Sequence, residues 1–154
     1  MRTGTRIGVD VGTARVGVAR SDPLGTVVVP VETLQRKAGT RAVVRAVLAL
    51  AAEHDAVEIV VGLPIALSGA ETASTADARS FAARLTAGGR PVRLVDERLT
   101  TVSAQAALHE AGHDTRRSRS MIDQMAAVIL LRHALDAERS RGEAPGVLVE
   151  PTRE

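Results

Sequence analysis

The sequence predicts an α/β domain in which a five-stranded mixed sheet is flanked by helices, in the order βββαβαβαα. Two observations predict this fold class. Apolar residues alternate with small or polar residues through the first part of the chain, which is the period of β-strands. Further along, segments with helical periodicity and short continuous apolar runs follow each other, as they do in domains that alternate helices with strands.

The first three predicted strands precede any helix. The segments TRIGVDVG and ARVGVARSD are separated by a Gly-Thr turn, which indicates a β-hairpin. The third segment, VVVPVETL, contains Pro30. Because proline has no backbone N–H to give to a ladder, we expect this strand at an edge of the sheet.

Helices and strands then alternate. TRAVVRAVLALAAEHD predicts a helix with Thr40 as its N-cap, and AVEIVVGLP predicts a strand covered on both faces. A helix is predicted over 72–87, before two glycines, and PVRLVDE predicts the fifth strand. Two more helices are predicted over 101–112 and 120–139. The expected single domain spans 3–140, and the polar tail 141–154 is expected to be loosely ordered beyond a short VLV contact.

Composition excludes several classes of protein. The 154 residues include one Phe and no Trp or Tyr, which argues against modules that stack bases on aromatic platforms. There is no cysteine, so disulfides, thiolate metal sites and thiol nucleophiles are excluded, and a reducing cytoplasm fits. No apolar run approaches the roughly 20 residues of a membrane span, and no secretory signal is recognisable. The net charge is only +2, so basic character is local, in TRRSR at 115–119.

The first strand carries an acid on a face without side-chain bulk. Side chains alternate along a strand, so Asp10 shares its face with Gly8 and Gly12, and the facing strand presents Gly17 there. Glycine in a strand often marks the close approach of a ligand or another backbone. A hairpin whose glycines serve only twist and helix packing fits the same pattern.

Two more acidic positions stand beside apolar segments. The stretch LVDERLTT ends the fifth strand with Asp96 and Glu97, where both a solvated loop and a functional site fit. Asp123 lies early in an apolar helix and shares a face with Ala126 and Leu130; an acid that stabilises the helix N-terminus is the alternative interpretation.

Three acids from two strands and a helix suggest a metal site. Oxygen ligands suit Mg²⁺ or Mn²⁺, and two such ions can stabilise both oxygens of a phosphodiester displacement. Arg15 and Arg98 offer forked donors for phosphate, although a surface ion pair is an equally simple role for Arg98.

Four segments in order resemble the signatures of the YqgF family, whose members are named as pre-16S rRNA nucleases and as Holliday-junction resolvases. They are DVGTARVGVA, VVGLPIALSG, VDERLTT and IDQMAAVILL, within roughly 5–140. The resemblance implies an RNase H-like fold with the first strand central, between the second and fourth. It also implies a catalytic, metal-binding triad of Asp10, Glu97 and Asp123, with Asp96 as a structural partner of an arginine or helix terminus.

The same resemblance, with the local chemistry, gives the expected contacts to substrate. Thr100 and Thr101 would cap the next helix near the site, and the basic segment before Asp123 would guide a phosphate backbone. The predicted substrate-binding residues are Gly12, Arg15, Arg98, Thr100, Thr101, Arg116, Arg117 and Arg119. Compared with the better-known junction resolvases, the site lacks a second helix acid, since that position is Ala126.

The favoured function is a Mg²⁺- or Mn²⁺-dependent endonuclease that cuts structured nucleic acid, with the 5′ end of pre-16S rRNA as substrate. The first alternative is resolution of branched DNA, which requires a homodimer to cut two strands symmetrically. A non-catalytic RNA-binding assembly factor is a third hypothesis. An actin-like ATPase, suggested by DVGT, is the fourth, but that class closes two domains around ATP. None of these hypotheses involves a membrane.

Overall fold

The computed structural model describes residues 1–98 and 115–151, with the backbone alone for 115–120. Nine elements of regular structure, apart from two short 3₁₀ turns, follow each other in these residues. They are β1 Arg6–Val11, β2 Arg15–Ser21, β3 Val28–Gln35, α1 Thr40–Glu53, β4 Glu58–Leu63, α2 Ala73–Leu85, β5 Val92–Asp96, α3 Thr115–Arg141 and β6 Val147–Leu148. The helix expected over 101–112 lies outside the described residues.

The strands form one mixed sheet in the order β3-β2-β1-β4-β5-β6. β1 pairs antiparallel with β2 and parallel with β4, so the prediction of a central first strand is confirmed. β3 is an edge strand, as the proline in it predicted.

The predicted count of five strands is wrong, because β6 adds a sixth. Val147 and Leu148 pair antiparallel with β5. Gly146 precedes them at φ 66°, and a side chain there would overlap the Leu94 carbonyl group. Two residues are too few to show strand periodicity, which is why the sequence did not reveal this strand. The division of the chain at residue 140 stays a prediction.

The alternation of side chains in β1 and β2 separates two apolar layers. The face that carries the valines packs against α1 and α2 around Phe81, whose side chain is buried. The opposite face carries the glycines and packs against α3, where Ala127, Leu130 and Leu131 are buried. The acids of the candidate site lie on this second face.

The helix boundaries are close to those predicted. The Thr72 side chain accepts a hydrogen bond from the Thr75 backbone N–H, and the Thr75 side chain accepts one from the Thr72 backbone N–H. These two bonds form a capping box at the start of α2. Thr40, expected as a cap, is instead the first residue of α1 and follows Gly39 at the N-cap. The last helix begins at Thr115 and ends at Arg141, which is longer than predicted. Among the described helices, none has the length and apolar sequence that a bilayer crossing requires.

A buried ionic cluster joins the far end of α3 to the start of β1 and β4. Glu138, 2% exposed, accepts from Arg2 and Arg6, and Glu58, 1% exposed, accepts from Arg2 and Arg93. Breaking a buried ion pair by removing one partner costs about 3–5 kcal/mol. This cluster therefore fixes the C-terminal half of α3 against the sheet.

Candidate active site

Asp10 stands on β1 at the centre of the sheet. Its Cα partner on β2 is Gly17. A Cβ at Gly17 would overlap the backbone carbonyl of Asp123, so the absence of a side chain there lets α3 lie directly on the strand. The glycines next to Asp10 therefore serve helix packing, and that packing is what brings the acid of α3 towards the acid of β1.

Glu97 follows the last residue of β5 and points into the same region. Its backbone N–H donates to the Leu63 carbonyl at 3.3 Å, which extends the pairing of β5 with β4 by one residue. A Cβ on Gly62 would overlap Glu97 Oε2. The glycine in VVGLP thus makes room for a carboxylate on the neighbouring strand, a role that the sequence reading did not assign to it.

The two neighbouring acids at the end of β5 have different environments, as predicted. Asp96 is exposed and accepts from Arg98 Nη2 at 2.7 Å. This hydrogen bond lowers the pKa of Asp96, so that carboxylate is charged and satisfied at the surface. Glu97 is 6% exposed and faces inward. Asp96 is therefore paired at the surface, and Glu97 is the acid that faces Asp10.

Asp10 and Glu97 are hydrogen-bonded to each other. Burial, helped by the Asp10 charge, raises the pKa of Glu97 to about 9. Burial and the charge of Asp123 raise the pKa of Asp10 to about 6, although the bond from Glu97 opposes the rise. Two carboxylates this close repel unless a positive charge lies between them. At neutral pH a proton on Glu97 supplies it.

Asp123 contributes to this region but is held by a cation of its own. Arg15 Nε donates to Asp123 Oδ2 at 2.6 Å, with the two side chains 25% and 13% exposed. Asp123 is near enough to raise the pKa of Asp10. Over residues 1–98 and 121–151, however, no three acidic or histidine side chains are arranged to hold one metal ion. The three predicted acids thus meet in one region as a protonated pair and a nearby ion pair.

The donor set nevertheless fits a hard divalent cation. Oxygen ligands without thiolate or imidazole suit Mg²⁺ and Mn²⁺. The proton on Glu97, next to Asp10, marks a position where a positive charge is stabilising, and a divalent ion would satisfy the same repulsion. Arg15 engages one oxygen of Asp123, Oδ2, so a cation that used this oxygen would compete with Arg15.

An arginine that the sequence reading missed holds the turn between β1 and β2. Arg36 Nη1 donates to the Gly12 carbonyl at 3.0 Å, and its backbone N–H donates to Ala14 at 2.9 Å. Asp77 of α2 accepts from both Nη atoms of this guanidinium. The turn that leads into Arg15 is therefore tied to the opposite helix layer. No local pattern signals this contact, because its partners are far apart in the sequence.

The structure describes the side chains of only some of the remaining predicted substrate-binding residues. Gly12 lies in the turn, where its N–H donates to the Arg15 carbonyl at 2.8 Å. Arg98 is exposed and paired with Asp96. Thr100 and Thr101 lie outside the described residues. Arg116, Arg117 and Arg119 belong to the first turns of α3, where only the backbone is described.

Solved structures identify the fold class. RuvC of Thermus thermophilus, in complex with a Holliday junction substrate, matches with a TM-score of 0.58, covering 92% of this chain and 98% of that one at 17% identity. A second RuvC structure from the same organism matches with a TM-score of 0.53 at 15% identity. The fold is therefore RNase H-like, as the resemblance implied.

Sequence comparison identifies the family. The model described as "RuvX: Holliday junction resolvase" matches residues 4–137. A relative from Clavibacter michiganensis, named "Putative pre-16S rRNA nuclease", is 57% identical over 99% of this chain and 96% of its own length. A relative from Leifsonia xyli with the same name is 53% identical over 98% and 97%. The chain belongs to the RuvX family, and with it to the nucleases, hydrolases of phosphodiester bonds.

Proposed function

We propose that this nuclease is a metal-dependent endonuclease that cuts structured RNA at the 5′ end of pre-16S rRNA. The observation that carries the proposal is the contact between Asp10, which is half-buried, and Glu97, which is buried, with Asp123 nearby. An acid pair whose pKa values are raised costs stability, and such groups concentrate at functional sites. The names of the curated relatives support the choice of substrate.

The residues that would hold Mg²⁺ or Mn²⁺ are Asp10 and Glu97 first, with Asp123 as the third. When bound, such a cation activates the attacking water and stabilises charge on the phosphate oxygens. The protein's part is to bring the carboxylates together. β1 and the end of β5 bring Asp10 and Glu97 into contact, and Glu97 would have to give up its proton to serve as a ligand.

Arg15 would link substrate binding to the completion of this site. Its guanidinium lies on Asp123 in the free protein. A phosphate of the incoming backbone competes for the same forked donor, since arginine binds phosphate and carboxylate with similar geometry. Transfer of Arg15 to phosphate leaves Asp123 Oδ2 available as a ligand. Gly12, Arg98, Thr100, Thr101, Arg116, Arg117 and Arg119 are proposed to contact the substrate around this centre.

Cleavage of an rRNA precursor tests the proposal. With Mn²⁺, the wild-type chain should release the mature 5′ end, and Asp10→Asn should abolish cleavage without lowering the melting temperature, because the amide retains a hydrogen bond to Glu97. Asp96→Asn is the matched control and should retain activity, because Asp96 is the exposed acid at the end of β5, next to Glu97. Full activity in Asp10→Asn would refute the assignment of the site.

The second candidate is resolution of Holliday junctions, which the description of the family model favours. Symmetric cutting of a four-way DNA junction needs two active sites, so this function predicts a homodimer. Parallel assays on a DNA junction and an rRNA precursor, with light scattering on the same sample, separate the two. Binding of the precursor without any cleavage would instead indicate an assembly factor.

An rRNA substrate would place the protein in the cytoplasm, which the cysteine-free sequence fits.

A further inference from the structure

A small groove between β3 and α3 lies beside the candidate active site. Its volume is about 220 Å³, and its walls are Val28 and Pro30 of β3 and Met121, Gln124, Met125, Val128 and Arg132 of α3. This is smaller than the roughly 300–1,000 Å³ of pockets for drug-sized ligands. The groove therefore fits one flat group and is too small for a helix or a whole nucleotide chain.

The groove is built by two local features of the chain. On α3, the lining residues recur at helical spacing, so they form one stripe beside the stripe that carries Asp123. On β3, the pairing with β2 shifts between Val18 and Ala19, which leaves Val31 as an extra residue. That extra residue turns Pro30 to the same face as Thr33, and Thr33 Oγ1 accepts from Gln124 Nε2 at 3.0 Å.

We propose that this groove binds an unpaired base of the nucleic acid that is cut, as a subsite flanking the scissile phosphate; this inference rests on the proposed nuclease function. Two half-buried methionines and an exposed proline supply its apolar wall. Thioether sulfur makes favourable contacts with aromatic rings, and every base presents such a face. The single Phe, at position 81, is 1% exposed and cannot serve this purpose.

Position and charge favour a base over a protein side chain as occupant. Gln124 follows Asp123 in α3 and donates to Thr33, whose Cα partner Gly17 is in turn the partner of Asp10, so this end of the groove lies next to the proposed cutting site. At the other end Arg132 is exposed, and no carboxylate of the described residues forms an ion pair with it. From Asp123 to Arg132 the helix rises about 14 Å, the length of roughly four stacked nucleotides at ~3.4 Å each. A strand lying along α3 would thus meet a carboxylate site, an apolar groove and a phosphate-binding cation in turn.

The test uses binding in the presence of EDTA, so that no cleavage occurs. The probe is a short single-stranded RNA with 2-aminopurine at one position at a time near the cut site. At one position its fluorescence should change on binding to the wild-type chain, and should not change in a fully paired duplex. The Met121→Gln/Met125→Gln variant should lose this signal and bind about 3- to 10-fold more weakly. Leu148→Gln, at the opposite edge of the sheet, is the control.

An abasic substitution completes the cycle. Removing the base at the responsive position should weaken wild-type binding by the same factor and should not weaken the methionine variant further. Arg132→Gln, at an exposed position, should make the dependence of binding on log salt shallower by ~0.7. Equal affinity and fluorescence in wild type and methionine variant would overturn the inference. So would conversion of a wild-type dimer into a monomer by that variant, which would assign the groove to a second copy of the chain.

These outcomes separate the subsite from the nuclease proposal. Binding with the expected signal but no cleavage in Mn²⁺ would remove the nuclease proposal and leave a base-binding groove. Cleavage that is indifferent to the methionines and to the abasic position would remove the groove alone. Absence of any binding to RNA or DNA would overturn both.

Discussion

Arg15 Nε and Asp123 Oδ2 lie 2.6 Å apart, and this ion pair joins the end of the β1–β2 turn to the helix that crosses the sheet. The contact occupies an oxygen of the third acid of the candidate site. In the free protein the site therefore consists of the Asp10–Glu97 pair and the Arg15–Asp123 ion pair, and a cation at Asp123 Oδ2 would compete with Arg15.

Removing Arg15 should therefore strengthen metal binding while weakening substrate binding. A hydrogen bond to a charged group contributes about 1.5–3 kcal/mol, so Arg15→Gln should raise the affinity for Mn²⁺ by roughly 10-fold or more. Calorimetric titration with Mn²⁺ alone measures this without any turnover. Arg98→Gln removes an arginine paired with an exposed acid and should leave the affinity unchanged. Weaker Mn²⁺ binding in Arg15→Gln would contradict the competition.

Stability without metal should fall as pH rises. Glu97 has a pKa of about 9 in the folded protein against an ordinary value of 4.5, so between these values the folded state holds more protons than the unfolded state. The free energy of unfolding then decreases with pH, by up to ~1.4 kcal/mol per pH unit for one proton. Denaturant unfolding at a series of pH values should show this decline in the wild type and a flatter profile in Glu97→Gln.

The same proton links metal binding to pH. A cation between Asp10 and Glu97 displaces the proton, so Mn²⁺ affinity should rise with pH until about 9, and binding should release protons. Calorimetry in buffers of different ionisation enthalpy counts the released protons. A pH-independent affinity with no proton release would show that Glu97 is not a ligand.

Two glycine substitutions should fail in different ways. A Cβ on Gly62 overlaps the carboxylate end of the Glu97 side chain, whereas a Cβ on Gly17 overlaps the backbone of Asp123. Gly62→Ala should displace the carboxylate and abolish cleavage with little loss of stability. Gly17→Ala must move α3 off the sheet and should cost about 1–3 kcal/mol or more. Melting curves and activity on the same two samples distinguish them; equal loss of stability in both would be inconsistent with this geometry.

The ionic cluster at the other end of α3 should dominate the effect of charge substitutions on stability. Glu58→Gln removes the carboxylate charge that Arg93 and Arg2 share, while Arg2 is half-exposed and keeps its contact with Glu138, so the variant should cost about 1.5–3 kcal/mol. Glu71→Gln removes an acid from an exposed ion pair with Arg79 and serves as the control, with no change expected in the melting temperature. Similar melting temperatures for both variants would refute the assignment.

Periodicity was sufficient to predict strands β1 to β5 and the described helices, because it shows which faces are apolar. The edge position of β3 was predicted from Pro30, and the central position of β1 from the family resemblance. Periodicity also placed Asp10 on the glycine face. What it could not supply is pairing between distant polar groups. The ties from Arg36 to Gly12 and from Arg15 to Asp123 join residues 24 and 108 positions apart, and no local pattern encodes them. Strand β6 was missed because two residues carry no period.

Helix α3 is secured at both ends by arginine–carboxylate contacts, at Asp123 and, 15 residues later and about 22 Å away, at Glu138. The contacts at Glu138 therefore help to fix the position of the whole helix, including the distance of Asp123 from the sheet. A screen for inactive variants should accordingly recover substitutions around Glu138 that touch no substrate. Such variants would have impaired cleavage through a tilted helix while every proposed ligand remained in place.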